Sequence, residues 1–497
     1  MNPDDLFGYD GIYVKGRTYA EWYEKNKENI QPTTWGYPSN FQMKGKEWER
    51  DALLEIFEEG KKTFEQDIGI RIRGGSTRFF EQKGFGIYAR KKYGKDVLSY
   101  ELFHENRGAK ENVISEYDAF MLRNWGNNWR SYIFIDPLVQ GLVQNRSVST
   151  QYSQPCVAFL NGEYWGLYDM KEKYGTEYFK QHYKIEEENL IMIKAQATAD
   201  RSGRAVEIGN ESDIAEYEKL ETFVNDNDLS VNENYNELCS MVDIDSFIDL
   251  YAIRMYVEAV DFPSNNWACW KTRTISDKLY QDGKWRWMLY DVDPDMGHTN
   301  YYDGLEISKQ YSVMFSKLLQ NDNFKEKFVT IACDLMNNNF KYENVENELT
   351  NMYNECGPYM YEYYDRFGPI EVESNDEDKS EYYLELYNNM LLFFKNQTKY
   401  IQEKLKEKGL VHGEAYTLKI VMEDSKGNIS VNTSELNLEN GKWEGEYFSD
   451  FSIKLKVYPQ DGKIFKGWYN ANGILLSNEL EMQFKLEDNT VISAIFQ

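Results

Sequence analysis

Apolar and aromatic residues recur at helical spacing from Asp245 to Val260, and few turns of this segment are purely polar. The spacing predicts a buried helix, with Asp243 or Asp245 placed to cap its start. The chain then changes to aromatic, β-prone runs at 266–273 and 284–290, which a Gln-Asp-Gly turn signal joins into a predicted hairpin. The polar loop between helix and hairpin therefore begins on a rigid base.

A second predicted hairpin lies upstream. Residues 68–73 form a candidate strand, residues 74–78 form a flexible loop with two glycines, two hydroxyl groups and a cation, and Lys83 opens a second strand that runs to Arg90. Backbone donors of a Gly-rich loop, together with Lys or Arg, suit polyphosphate oxygens. A plain hairpin with an exposed basic loop fits this pattern equally.

Changes of pattern divide the chain into three parts. Residues 1–45 are an aromatic lead-in, residues 46–408 form the main domain, and residues 412–497 alternate as short strands of a small β-domain. Within the main domain, apolar residues return at helical spacing from about 303 to 406, interrupted by an acidic stretch at 371–379 that predicts a loop. The expected fold class is α+β, followed by a separate all-β unit.

The loop after the first predicted helix carries candidate chemistry. Asp261 stands five residues before Asn266, and Asp291 follows the second strand of the hairpin. Phosphoryl transfer uses one Asp to accept a hydroxyl proton, and an Asn and a second Asp to hold the metal. The order of loop, hairpin and acidic turn is more specific than the spacing alone, although Asp261 before Phe-Pro also suits an ordinary turn.

Four sequence motifs resemble the CotH kinase family, the spore coat protein H group. They are Arg71–Arg78 with Gln82-Lys83, Leu122–Asn128, Val157–Tyr168 followed by Glu172, and Asp261 with Asn266 and Asp291. The resemblance implies a divergent, two-lobed, protein-kinase-like fold. It also implies that Asp261 is the catalytic acid-base residue and that Asp291 is a metal ligand.

The remaining site assignments follow from this hypothesis. Lys83 is expected to act in catalysis, and nucleotide binding is expected from Arg73, Ser76, Arg78, Lys83 and Glu172. Glu172 either pairs with Lys83, as the lysine-orienting Glu does in kinases, or is a surface carboxylate. Arg123 and Asn124 either contact phosphate or cap a helix.

The metal is expected to be held by Asn266 and Asp291. Asp293 and Asp295 are either extra ligands or turn residues. Carboxylate and amide ligands suit Mg²⁺, Mn²⁺ or Ca²⁺ rather than zinc. The expected cofactors are ATP and Mg²⁺, with Mn²⁺ or Ca²⁺ as alternatives.

The β-domain has its own resemblance. The segment Gly462–Trp468, together with Ala494-Ile495-Phe496 near the end of the domain, resembles one divergent InlB B-repeat of bacterial surface proteins. Such modules imply export and a spacer or contact role.

Composition limits the possible partners. The net charge is −27 and the pI is about 4.7, which argues against nucleic acid and anionic membranes but permits a basic, perhaps Ser-rich, protein substrate. The sequence predicts no membrane span and no signal peptide, and its five cysteines are too scattered for a disulfide framework.

The sequence therefore favours an atypical protein kinase that transfers the γ-phosphate of ATP to Ser or Thr of secreted, cell-surface or spore-coat proteins. The alternative is a non-catalytic surface-binding protein on the same fold, because fold does not settle function.

Overall fold

The computed structural model describes the chain except for residues 32–35, 105, 107–112, 197–202, 260, 293–302, 370–375 and 423–425. Asp293 and Asp295, the two additional ligand candidates, lie outside the described residues. The described part mixes helices and sheets, in agreement with the α+β prediction.

The first eight strands are β1 Arg50–Glu58, β2 Lys61–Arg73, β3 Gly84–Tyr88, β4 Leu98–Ser99, β5 Glu116–Tyr117, β6 Ala119–Arg123, β7 Ser153–Leu160 and β8 Glu163–Glu172. Six of them form an antiparallel sheet in the order β1-β2-β3-β6-β8-β7, and β4 pairs with β5 separately. The Gly-rich loop joins β2 to β3, as the sequence predicts.

A second antiparallel sheet follows in the order β10-β9-β11-β12. Its strands are β9 Leu190–Ala195, β10 Arg204–Ile208, β11 Ala268–Thr272 and β12 Arg286–Met288. The pair β11 and β12 is the predicted hairpin, and Asp291 follows it by three residues.

The α-helices are α1 Pro3–Phe7, α2 Gly16–Asn26, α3 Ile135–Leu142, α4 Thr176–Tyr183, α5 Ile214–Asp226, α6 Asn232–Met241, α7 Ile244–Tyr256, α8 Gly304–Tyr311, α9 Val313–Leu318, α10 Asp322–Asp334, α11 Tyr342–Phe367 and α12 Asp376–Glu407. Helix α7 is the predicted buried helix, and the Asp243 side chain caps it by accepting from the Ser246 amide. The loop predicted over residues 371–379 is wrong for residues 376–379, which belong to α12. Residues 371–375 lie outside the described residues.

The lead-in packs onto the first sheet as part of its core. Leu6, Ile12 and Phe41 are buried against the apolar face of strands β2 and β3. The buried Arg78 guanidinium donates to the carbonyl oxygens of Phe41 at 3.0 Å, Met43 at 2.9 Å and Gly74 at 2.7 Å. Arg78 therefore joins the lead-in to the Gly-rich loop through its Nε and Nη1 groups.

Lys83 also lies between the lead-in and the first sheet. Its ammonium donates to the Phe80 carbonyl at 2.6 Å and lies 4.4 Å from the centre of the Phe41 ring and 5.1 Å from that of Tyr13. Burial lowers the pKa of Lys83 from 10.5 to about 8.

The C-terminal unit consists of two sheets that pack face to face, β16-β13-β21-β18-β19 and β15-β14-β17-β20. Its strands are β13 Ala415–Val421, β14 Gly427–Val431, β15 Ser434–Glu435, β16 Lys442–Phe448, β17 Ser452–Pro459, β18 Phe465–Asn470, β19 Leu475–Ser477, β20 Glu481–Lys485 and β21 Thr490–Phe496. The unit is all-β in its described residues, and its likeness to an InlB repeat stays a prediction.

Buried polar contacts dock this β-domain onto the end of α10. The Asp334 carboxylate accepts from Asn432 Nδ2 at 3.0 Å, the Thr433 amide at 2.9 Å, the Thr433 hydroxyl at 2.5 Å and the Tyr447 hydroxyl at 2.9 Å. In the π-helical turn that follows, Asn337 exchanges hydrogen bonds with the backbone of Glu446. These bonds make the β-domain a partner of the main domain rather than a loosely tethered spacer.

We expect Asp334→Ala to lower the free energy of unfolding by about 3 kcal/mol, because it leaves buried donors of the β-domain without an acceptor. Urea denaturation measures the change. The control is Asp461→Ala, in an exposed turn of the β-domain, which should change stability by less than about 0.5 kcal/mol. Equal effects of the two substitutions would contradict a docking role for Asp334.

A second prediction concerns Lys83. Its pKa is lower in the folded protein than in the unfolded chain, so the unfolded chain binds more protons between pH 8 and 10.5 and stability should rise with pH across that window. The free energy of unfolding of the wild type should therefore gain roughly 2 kcal/mol relative to that of Lys83→Met. Urea denaturation from pH 7 to 10 tests this, and parallel pH profiles of the two proteins would refute it.

Candidate functional site

Two of the three predicted residues, Asn266 and Asp291, are held by one buried guanidinium, and Asp261 stands in the same loop as Asn266. Arg254, in the last turn of α7, donates to the backbone carbonyls of Asn266 at 2.9 Å, Asp291 at 3.0 Å and Tyr290 at 2.5 Å. The loop after α7 and the turn after β12 are thereby fixed against the same side chain. These hydrogen bonds to the backbone place Asn266 and Asp291 in neighbouring turns.

All three residues have left-handed backbone conformations. Their φ angles are +65° for Asp261, +54° for Asn266 and +55° for Asp291. Asp and Asn tolerate this region better than other residues with a side chain, and such conformations concentrate at functional sites because surrounding structure must hold them. The sequence of the loop therefore suits its geometry.

The side chains of Asp261 and Asn266 are not used to build the loop. The Asp261 carbonyl oxygen accepts from the Asn265 amide at 2.8 Å, which forms the turn through the backbone. The Asp261 carboxylate is exposed, and within the described ranges neither it nor the Asn266 amide takes part in a hydrogen bond. Their turn role is therefore served by their tolerance of left-handed backbone, and their side-chain oxygens make no hydrogen bond within the described ranges.

A charge network on the other side holds Asp291. Arg123, the last residue of β6, forms an ion pair with the Asp291 carboxylate and lies 3.7 Å from that of Asp136, in the first turn of α3. Asp136 is buried and accepts from the Val292 amide at 2.7 Å. The first sheet, helix α3 and the turn at Asp291 are thus joined by ionic contacts.

Lys171 of β8 completes this network. It pairs with Asp136 and lies 3.5 Å from the buried Asp169 carboxylate on the same strand. Burial alone would raise the pKa of the Asp136 carboxyl, but Lys171 and Arg123, together with the Val292 amide, hold it well below its usual range. Asp136 is therefore ionised and keeps Arg123 pointed at Asp291.

The structure separates the other predicted site residues into two groups. Arg73 and Ser76 lie at the Gly-rich loop. Arg78 and Lys83 are buried against the lead-in, as described above. Both alternatives for Glu172 are wrong, because it is buried and pairs with other groups than Lys83. It accepts from Asn106 Nδ2 at 2.8 Å and the Tyr152 amide at 2.9 Å, and contacts His182 at 2.9 Å.

Asn124 also has a structural partner. It neither caps a helix nor stands free, since its side-chain amide donates to the Gln82 carbonyl at 2.6 Å. Gln82 in turn donates to the Leu167 carbonyl at 2.8 Å. Several motif residues therefore hold the strands of the first sheet in place.

The sequence reasoning missed Asp136, Lys171 and the tethering role of Arg254. For Asp136 and Arg254, the sequence itself contained a signal of burial. Asp136 interrupts the apolar run Tyr132–Val139, and Arg254 interrupts the apolar helix α7. A lone charge in an apolar segment indicates a buried, partnered group, although it does not name the partner.

The donor set at Asn266 and Asp291 fits a hard divalent cation. Both offer oxygen ligands from adjoining turns, and the described part of the chain has no group of three or more His, Cys, Asp or Glu side chains placed to hold a metal alone. Mg²⁺ is commonly held by one or two carboxylates together with substrate phosphates. These residues therefore suit a metal that binds together with a phosphorylated ligand.

Comparisons with known proteins identify the family. No curated protein matches this chain. The family described as CotH kinase protein matches residues 70–394, about two thirds of the 497-residue chain. The matched region includes the Gly-rich loop, Arg123, Asp136, the loop at Asp261 and the turn at Asp291. The chain therefore belongs to the CotH kinase family.

Proposed function

We propose that this protein is an atypical protein kinase that transfers the γ-phosphate of ATP to Ser or Thr hydroxyl groups of secreted or spore-coat proteins. Family membership indicates a kinase-like protein in general. The observation that carries the finer proposal is that Arg254 holds the loop of Asn266 and the turn of Asp291 side by side, while the side chains of Asp261 and Asn266 make no hydrogen bond within the described ranges.

The ionic network supports a two-lobed kinase arrangement. In protein kinases a cation on the third strand pairs with an acidic residue of the following helix and contacts the nucleotide phosphates. In the sheet order β2-β3-β6, β6 is the third strand counted from the strand before the Gly-rich loop, and α3 is the next α-helix in the chain. Arg123 and Asp136 occupy these places, so we assign Arg123 the role that the sequence analysis gave to Lys83.

An arginine at position 123, where protein kinases carry a lysine, changes how this residue contacts its partners. Its guanidinium stays charged at any accessible pH and offers a planar fork, whereas lysine offers a single ammonium. The fork reaches two carboxylates at once, Asp136 and Asp291. Arg123 thus compensates the charge of Asp291.

The proposed reaction assigns one role to each residue. The acceptor hydroxyl oxygen bonds to the γ-phosphorus, the bond from that phosphorus to the β,γ-bridging oxygen breaks, and ADP leaves. The Asp261 carboxylate accepts the hydroxyl proton. Asn266 and Asp291 hold Mg²⁺, with Mn²⁺ or Ca²⁺ as alternatives, which supplies charge neutralisation to the phosphates.

The partners of the proposed kinase follow from its charge. A net charge of −27 favours a basic protein substrate and disfavours nucleic acid. No helix in the described ranges has the length and apolar character that crossing a membrane requires. We propose that the protein acts outside the cell, at the cell surface or in the spore coat.

We expect Asp261→Asn to retain ATP binding and to lower phosphate transfer by about 10²-fold or more, because it removes the proton acceptor while keeping the shape of the turn. The measurement is transfer of radiolabelled phosphate to a basic, Ser-rich protein, alongside ATP affinity. Wild-type turnover by Asp261→Asn would leave Asp261 a turn residue. If the wild type transfers no phosphate to a broad protein panel, the binding-protein alternative is favoured.

We expect Asp291→Ala to abolish Mg²⁺-dependent ATP binding and to leave the fold intact, since the tether to Arg254 uses the backbone of residue 291. Calorimetry with ATP, with and without Mg²⁺, measures the loss. Asp277→Ala, in the exposed loop between β11 and β12, is the matched control. Unchanged Mg²⁺-dependent affinity in Asp291→Ala would remove Asp291 from the metal site.

A further inference from the structure

Residues 146–149, between α3 and β7, contact both elements that lead into the proposed site. The first of these is helix α7. The Arg146 guanidinium donates to the Asp249 carboxylate of α7 from Nε at 2.9 Å and from Nη2 at 2.7 Å, and the Ser147 amide donates to the same carboxylate at 2.7 Å. The side chains of Arg146 and Asp249 are 5% and 0% exposed. Charge-assisted hydrogen bonds therefore fix this segment to α7.

Three residues after Arg146, the same segment pairs with β12. The Ser149 amide donates to the Trp287 carbonyl at 3.1 Å, and the Leu289 amide donates to the Ser149 carbonyl at 2.8 Å. The Tyr174 hydroxyl lies 2.8 Å from the Ser149 carbonyl oxygen and 2.7 Å from that of Leu289. Leu289 precedes Asp291 by two residues. The buried backbone at Ser149 thus holds the strand that leads to Asp291.

Helix α7 leads to the other half of the site. Arg254, which donates to the Asn266 carbonyl, follows Asp249 by five residues, or about 7.5 Å along the helix axis. An α-helix is a rigid element, so a displacement of Asp249 is passed on to Arg254. Residues 146–149 therefore join the element before Asn266 to the element before Asp291.

The β-domain holds the third nitrogen of the Arg146 guanidinium. Arg146 Nη1 donates to the Thr433 hydroxyl at 3.0 Å and lies 3.4 Å from the Ser434 hydroxyl. Thr433 is itself fixed, because its amide and hydroxyl donate to the Asp334 carboxylate of α10. The planar fork of arginine suits this division between α7 and the β-domain, whereas lysine offers a single ammonium.

We propose that Arg146 is a positioning residue for the metal site. Held by the Thr433 hydroxyl of the β-domain, Arg146 fixes α7 against β12 and thereby sets the spacing of the proposed ligands Asn266 and Asp291. The inference rests on the proposed function, because it concerns the metal site assigned there. It makes the docked β-domain a determinant of Mg²⁺-dependent ATP binding, which is more than the role of a spacer.

Hydrogen exchange of the full chain tests the positioning directly. The double variant Arg146→Met/Asp249→Leu removes the ion pair without leaving an unpaired buried charge, and such replacements are often neutral for stability. We expect the Leu289 amide to exchange at least about tenfold faster in this variant, and the Ile70 amide of β2 to exchange at an unchanged rate. Equal exchange of the Leu289 amide in the variant and the wild type would overturn the proposal.

Calorimetry with ATP, with and without Mg²⁺, tests the consequence for the metal site. We expect ATP affinity in the presence of Mg²⁺ to fall at least about tenfold in the double variant, and ATP affinity without Mg²⁺ to change by less than about twofold. A residue that served only the fold would leave both affinities unchanged once thermal melting shows the variant folded, and that result would overturn the proposal.

The matched control is another ion pair with a fully buried carboxylate. Arg90 Nε lies 2.8 Å from Glu49 Oε1, and the Glu49 side chain is 0% exposed. The double variant Glu49→Leu/Arg90→Met should leave the ATP affinities and the exchange of the Leu289 amide unchanged. The same losses in this control would show a general effect of removing buried ion pairs and would refute a specific role for Arg146.

Threonine variants test the part played by the β-domain. Thr433→Val removes the hydroxyl to which Arg146 donates and keeps the shape of the side chain. We expect it to weaken Mg²⁺-dependent ATP binding by about threefold or more, and Thr433→Ser, which retains the hydroxyl, to bind as the wild type does. Both variants keep the pair of Arg146 with Asp249, so they also decide the matter if the double variant does not fold. Equal affinities of Thr433→Val and Thr433→Ser would refute the proposal.

The proposed function and this inference fail in different ways. If the wild type binds no ATP with Mg²⁺, the kinase proposal fails, and hydrogen exchange at Leu289 still decides whether Arg146 positions the turn before Asp291. If the wild type and the double variant bind ATP with Mg²⁺ equally well, the kinase proposal stands and Arg146 has no positioning role.

Discussion

One buried guanidinium holds the centre of this protein together. Arg254 binds the carbonyl oxygens of Asn266, Tyr290 and Asp291, which belong to two turns separated by a hairpin. Buried carbonyl groups without donors are costly, so these turns have their lowest free energy where all three reach the same side chain. Two left-handed residues, Asn266 and Asp291, are held by that restraint, and Asp and Asn also tolerate this backbone conformation better than other residues with a side chain.

A second restraint connects the first sheet to these turns. Asp136 accepts from the Val292 amide and pairs with Lys171, while Arg123 reaches both Asp136 and Asp291. Such a buried ionic network adds specificity more reliably than it adds stability, because desolvation offsets much of the attraction. Its effect here is geometric: the position of Asp291 depends on helix α3 and strand β6 as well as on its own hairpin.

The segments at both ends of the chain take part in the same structure. The lead-in fills the apolar side of the first sheet and holds Arg78 and Lys83, and Arg123 lies on the opposite side of that sheet with Asp291. The β-domain satisfies a buried carboxylate at the end of α10. The CotH kinase domain is therefore supported from two directions by segments that lie largely outside the family match.

The sequence by itself determined the local elements and the family. Helix α7, the two hairpins and the change to strands near residue 415 follow from periodicity and turn residues, which act over a few neighbouring residues, whereas the choice of Asp243 over Asp245 as the cap was left to the structure. The loop at Asp261 and the turn at Asp291 were found for the same reason. Tertiary structure alone decided which cation meets Asp291: packing placed Lys83 against Phe41 and Arg123 against Asp291. Residues as distant in sequence as Arg123, Asp136 and Asp291 become neighbours only through long-range packing, and no local pattern encodes the partner of a buried charge.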